Sequence, residues 1–307
     1  IMEIEAMRKE GYDDGFSAAI TAGSAVIGPI FPPSIPLVIY GVIAGASIGN
    51  LFLAGMVPGI ILALALCIYV CYIANKRNSP SGRKYAGMEF IKMTVSAVPA
   101  LLTPIILLMG IYTGIMTATE AGAVAALYAL LISVFAYRSI TLSEFIQVLK
   151  NTVKSTGQIG IMLGAAYVFS YVIAVENLPS LAGNLILSFA TTKVSFLVFV
   201  NILLFILGML LDSAVLQLVL LPILCPIAQS FGIDMVHFGV VFTLNTMIGL
   251  CTPPFGMLLF IVTGISGEKM NTIIKEVMPM VFVMVLVLIL VTFVPDVIMW
   301  LPRLFGR

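Results

Sequence analysis

Six runs of roughly 20 apolar residues, the length a helix needs to cross the hydrocarbon of a bilayer, leave this chain no way to fold in water. They cover residues 56–74, 93–116, 119–137, 159–175, 196–211 and 278–301. With 61% hydrophobic and 9% charged residues, the 307-residue chain has too few charges to clothe a soluble domain. The runs do not alternate apolar with polar, so helices rather than a barrel satisfy the backbone inside lipid. The sequence therefore predicts an all-α, polytopic membrane protein.

Within this apolar chain one frame, Ile-Gly-x-x-x-Pro-Pro, is set twice, at 27–33 and 248–254. The offset of 221 that superposes Gly28 on Gly249 also superposes Gly11 on Gly232, Asp13 on Asp234 and Pro58 on Pro279. The chain is thus built on a repeat. Proline removes a backbone donor and disfavours helix at the residue before it, so each copy holds a broken helix. The organisation read from this is a first repeat over 1–75 with its break at 28–36, connecting helices over 76–194, and a second repeat over 195–307 with its break at 249–256. The count of crossings between the copies is odd, which makes the repeats inverted. The second copy has a long apolar lead-in, 196–231, whose counterpart falls ahead of residue 1, so the chain is expected to begin within a longer protein.

Several local expectations follow. Residues 1–15 form a charged connector ending in a Gly/Asp turn. The basic loop 76–84 lies in the cytoplasm by the positive-inside rule. Residues 141–155 form an amphipathic helix on the membrane surface, and 178–192, broken by Pro179 and Gly183, a re-entrant hairpin. Thr117 and Glu120 cap a helix start. Cys67, Cys71, Cys225 and Cys251 are small buried hydrophobes, with neither disulfide nor metal.

The net charge of +1, without a basic block, excludes a nucleic-acid partner. His237 is the only histidine, read as structural; no HExxH motif and no nucleophile beside a base are present, so no enzyme is expected. Chemistry belongs instead to the breaks. Freed carbonyls there can hold a cation, and paired broken helices at matched positions point to a site at mid-membrane. Ser24, Pro32 and Ser34 flank the first break; Asn245, Thr246, Pro253 and Pro254 flank the second. Asp212 interrupts an apolar run and has two readings, an ion ligand or the cap of the helix that follows.

Six motifs occur in order: Gly-Tyr-Asp-x-Gly-Phe from Gly11, Ile-Gly-Pro-Ile-Phe-Pro-Pro-Ser-Ile-Pro from Ile27, Thr-x-Thr-Glu-Ala from Thr117, Gly-Met-Leu-Leu-Asp from Gly208, Gly-Ile-Asp-x-x-His-Phe-Gly from Gly232, and Ile-Gly-Leu-x-Thr-Pro-Pro-Phe-Gly from Ile248. Together they make the chain resemble the large membrane (M) subunit of tripartite ATP-independent periplasmic (TRAP) transporters. Ala118 and Gly122 stand where that family more often has Pro and Ala. The resemblance implies a sodium-coupled elevator in the bacterial inner membrane that imports organic acids such as sialic acid or C4-dicarboxylates. It implies a small membrane (Q) subunit and a periplasmic binding (P) protein as partners, surrounding lipid, and no cofactor beyond the coupling sodium ions. By position, the sodium ligands would be Gly28, Phe31 and Pro33 at one site and Asp212, Gly249 and Thr252 at the other. The alternative is a channel or structural membrane subunit without coupled transport.

Overall fold

The computed structural model describes residues 2–80, 87–176 and 190–305, and every element among them is helical. The chain divides into two compact units, one of residues 1–82 and 172–307, the other of residues 83–171. Among the described residues, five helices are long and apolar enough to cross a membrane.

The first unit holds α1 (Met2–Lys9), α2 (Asp14–Ala25), α3 (Ile35–Ala44) and α4 (Ile48–Lys76) from the first copy of the frame. From the second copy come α8 (Lys193–Gly208), α9 (Ser213–Ser230), α10 (Met235–Leu250), α11 (Met257–Ser266), α12 (Met270–Phe293) and α13 (Asp296–Phe305). The two copies start their broken helices alike. Gly11 (φ 86°) and Gly232 (φ 66°) turn the chain in the left-handed region. Asp13 then accepts from the N–H of Phe16 at 2.8 Å, and Asp234 from those of Val236 at 2.8 Å and His237 at 3.1 Å. Removing such a cap exposes an orphan donor. Asp234→Ala is therefore expected to cost about 1 kcal/mol, read as a lowered thermal midpoint of the purified protein.

The offset maps α2 onto α10, α3 onto α11 and α4 onto α12, and the packing obeys that map. α2 lies against α11 and α12, as α10 lies against α3 and α4, while α4 meets its own counterpart α12. Reciprocal contacts of this kind are what a two-fold relation produces. Tyr40 of α3 fixes one of them: its hydroxyl donates to the carbonyl of Met235 at 2.7 Å, and its ring fills the space beside Gly239, where a Cβ would meet the ring at 2.4 Å.

The second unit holds α5 (Gly87–Tyr112), α6 (Ala118–Leu131) with a π-turn at Ile132–Ala136, and most of α7 (Leu142–Val175). The capping box Thr117–Glu120 starts α6. Thr141 and Glu144 reproduce that arrangement at α7, where the Thr141 N–H and then its hydroxyl hold the Glu144 carboxyl below the usual range. Most apolar side chains of this unit stay on its outer faces, as lipid permits.

Four expectations change. Residues 2–9 are helix α1 rather than a connector. The amphipathic stretch 141–155 and the apolar run 159–175 are one helix, α7, because Gly157 alone does not stop a helix among good helix formers. The last run, 278–301, breaks at Val294, just before Pro295, so the crossing is α12 and α13 follows it. Cys67 and Cys71 are exposed on α4, not buried, since an apolar side chain loses little by facing hydrocarbon. The hairpin expected at 178–192 falls almost wholly outside the described residues.

Candidate functional site

Proline at position i+4 strips a helical carbonyl at position i of its donor. In the first break Pro29, Pro32, Pro33 and Pro36 do this to the carbonyls of Ala25, Gly28, Pro29 and Pro32. The chain turns on Ile30 N–H and Phe31 N–H, both donating to the Ile27 carbonyl at 3.1 and 2.9 Å. Ser34 repairs two ends at once: its hydroxyl donates to the Pro29 carbonyl and accepts from the Leu37 N–H at 3.2 Å, capping α3. Among the described residues, no backbone hydrogen bond ends on the carbonyls of Gly28, Phe31 or Pro33. Those three residues are exposed, whereas Pro32 is buried. The loop rests on α4 through a small-residue notch, where a Cβ on Gly55 would meet the Ile30 carbonyl at 2.5 Å and one on Gly59 would meet Phe31 at 3.0 Å.

The second break is more deeply set. Pro253 and Pro254 strip the carbonyls of Gly249 and Leu250, and the Thr252 N–H takes over Gly249 at 2.9 Å. Gly256 (φ 47°) restarts the helix as α11. A Cβ there would lie 2.8 Å from the Thr252 carbonyl and 3.2 Å from that of Leu250, so two main-chain oxygens converge on one glycine. Both breaks carry a cis prolyl bond at the matched place, Pro32–Pro33 and Pro253–Pro254.

Against this break sits a helical hairpin. α8 runs alongside α10 in parallel, with Asn201 on Asn245 and Gly208 on Gly249, and α9 returns antiparallel, with Ser213 on Thr246 and Gln217 on Thr243. The turn at 209–212 is thereby brought to the break, and the Gly256 N–H donates to the Met209 carbonyl at 3.0 Å. Neither α10, about 24 Å long, nor α11, about 15 Å, is long enough by itself to span the roughly 30 Å of a bilayer's hydrocarbon.

The structure places the predicted residues unequally. Asp212 closes the hairpin turn whose Gly208 and Met209 meet Gly249 and Gly256 of the break; it is half-buried, with its side chain accepting from the Ala214 N–H at 2.8 Å. It is thus the N-cap of α9, and one carboxylate oxygen carries that bond. The Thr252 hydroxyl donates to the Ile248 carbonyl at 2.8 Å, and the Ser24 hydroxyl to the Thr21 carbonyl at 3.3 Å. Ser24 is exposed and points along its own helix. Thr246 shares a 2.8 Å bond with Ser213, and Asn245 turns toward α8. The two breaks are linked through half-helices, α2 on α11 and α10 on α3. His237 is buried on α10, 3.0 Å from the Val291 carbonyl.

Sequence reading missed Asn201, Gly208, Met209, Ser213 and Gln217. Ser213 and Gln217 were legible as polar residues one turn apart in an apolar run. Nothing in the sequence tells that Gly208 faces Gly249. Among the described residues no three His, Cys, Asp or Glu side chains gather, so the oxygen donors here are main-chain carbonyls, hydroxyls and the Asp212 carboxylate. Such hard, mostly neutral donors suit an alkali cation better than a transition metal.

Comparison with known proteins bears on this arrangement. A family model for the tripartite ATP-independent periplasmic transporter, DctM component, matches residues 1–297. The sialic acid TRAP transporter large permease protein SiaM of Vibrio cholerae is 41% identical over 304 residues, 99% of this chain and 71% of that protein. The sialic acid TRAP transporter permease protein SiaT of Haemophilus influenzae is 39% identical, and the chain spans 49% of its length. The C4-dicarboxylate TRAP transporter large permease protein DctM of Pseudomonas aeruginosa is 34% identical over 303 residues, 71% of that protein.

Proposed function

The chain belongs to the DctM component of the tripartite ATP-independent periplasmic transporters, and from that premise we propose that it couples sodium binding at its two helix breaks to the import of an organic acid. The observation that supports this most directly is the pair of breaks in one compact unit, packed by reciprocal contacts and each holding carbonyls stripped of helical donors by proline, exposed at Gly28 in the first break and buried in the second. One ion is held by main-chain oxygens of Gly28, Phe31 and Pro33. The other lies between the Asp212 turn and the loop of Gly249 and Thr252. Inverted orientation of the two repeats lets both breaks open toward one mid-membrane position, and the unit that carries them moves as the elevator.

The relatives named for sialic acid favour a sialic acid as substrate, with C4-dicarboxylates as the next class to try. Both are carboxylates. A periplasmic binding protein delivers the substrate and a small membrane subunit completes the permease in the inner membrane. The test is uptake of labelled N-acetylneuraminate or succinate into proteoliposomes bearing the full-length permease, with and without a sodium gradient and the binding protein. Uptake of at least one substrate should require both. Uptake that ignores sodium and the binding protein would mean a channel, and the coupled reading would be lost.

A further inference from the structure

We propose that Asn201 and Asn245 form a register lock: positioning residues that set the height of the hairpin turn 209–212 above the second break. The inference rests on the sodium reading of that break and adds two residues, neither of which touches the loop, as determinants of ion affinity.

The interface of α8 with α10 is otherwise apolar or made of bare backbone. Phe196 stacks on Phe238 at 6.3 Å at one end, and Gly208 meets Gly249 at the other. Apolar faces of this kind tolerate slippage, because hydrocarbon contacts have no fixed direction. The amide pair has one. Asn245 Nδ2 donates to both acceptors of a single residue, the Asn201 main-chain carbonyl at 2.9 Å and Oδ1 at 2.7 Å. Asn201 Nδ2 in turn donates to the Leu197 carbonyl at 2.8 Å and faces Thr292 Oγ1 of α12 at 3.5 Å. A slide of one residue displaces α8 by about 1.5 Å, enough to break both bonds of Asn245.

The arrangement is not the most stable one available. Asn245 is fully buried, and its Oδ1 finds no partner among the described residues. An orphaned buried acceptor is unfavourable, and apolar side chains of similar size pack without it. A buried polar pair that costs stability while fixing one alignment acts as asparagine does in a coiled-coil seam. What the alignment serves is at the far end of the same interface. Asn245 is one turn before Gly249, and Asn201 two turns before Gly208 and Met209, whose carbonyl receives the Gly256 N–H at 3.0 Å. The oxygens of the turn and of the break keep their spacing only while α8 keeps its height.

The experiment is a sodium titration of the detergent-purified full-length permease against choline chloride at constant ionic strength, read as the thermal midpoint. Asn201→Leu combined with Asn245→Leu is expected to keep or raise the midpoint in choline. The sodium concentration giving half of the sodium-induced rise should increase at least tenfold. A folded double variant with an unchanged half-maximal concentration overturns the inference. Should the double variant fail to fold, Asn201→Ala, which adds no bulk and leaves only the main-chain acceptor, is expected to raise that concentration about threefold, and an unchanged value overturns the inference equally. If the unaltered protein shows no sodium-dependent rise, the sodium reading itself falls; if it does and the asparagine variants match it, only the register lock falls.

Discussion

Adding a single methyl group at Gly249 is expected to abolish sodium-driven uptake. A Cβ at that position would lie 2.6 Å from the carbonyl carbon of Gly208 and 2.7 Å from its Cα, distances that real side chains do not reach. The obstacle is main chain on both sides, so no rotamer change relieves it. α8 must separate from α10, and the Gly256 to Met209 hydrogen bond opens with it. Overpacking of this kind costs about 1–3 kcal/mol, and it acts where the ion is proposed to bind. Gly249→Ala should therefore lower the thermal midpoint and leave sodium-dependent uptake in proteoliposomes at background. Gly264→Ala, where a Cβ meets nothing within 4 Å, is the matched control and should leave both unchanged. An active Gly249→Ala permease would refute the close crossing.

The symmetry of the frame conceals this difference. At Gly28, the counterpart of Gly249, a Cβ would meet only the Ala25 carbonyl, at 3.8 Å. Among the described residues, main chain therefore approaches Gly249 far more closely than Gly28, which a repeat in the sequence does not reveal.

Much of the architecture was legible because it depends on local chemistry. Prolines remove donors wherever they stand, so both breaks could be placed from Pro29 to Pro36 and from Pro253 and Pro254 to within a residue or two. Glycine and aspartate at 11–13 and 232–234 announced the starts of α2 and α10. What stayed hidden depends on which face meets which. The run 196–211 has the composition of a crossing, yet α8 ends at Gly208 and folds back as one arm of a hairpin, a distinction carried by contacts with α10 rather than by hydropathy. The glycines Gly55 and Gly59 looked like ordinary residues of a membrane helix until the Ile30 carbonyl and Phe31 were seen against them. For hydroxyls, the local reading won. Thr252 and Ser24 donate their hydroxyl protons to carbonyls of their own helices, as serine and threonine in membrane helices commonly do.

Asp212 is where capping and charge can be separated. Its Oδ1 accepts from the Ala214 N–H at 2.8 Å, a role that asparagine fills about as well. Asp212→Asn should accordingly leave the thermal midpoint in choline within the equivalent of about 0.5 kcal/mol. The carboxylate charge is another matter. Half-buried in the hairpin turn that Met209 ties to the break through the Gly256 N–H, it is the one anionic group among the donors proposed for the second ion. A unit charge facing a cation at about 4 Å contributes around 4 kcal/mol at an effective dielectric constant near 20, and screening and relaxation reduce that. Even a remainder of about 1.4 kcal/mol is tenfold in affinity. Asp212→Asn is thus expected to raise the sodium concentration for half-maximal uptake at least tenfold in a protein that remains as stable as before. Asp212→Ala should add a loss of about 1 kcal/mol in stability from the missing cap. If the asparagine variant transports with an unaltered sodium dependence, Asp212 serves α9 as a cap alone, and the second ion must be held by main-chain oxygens without a countercharge.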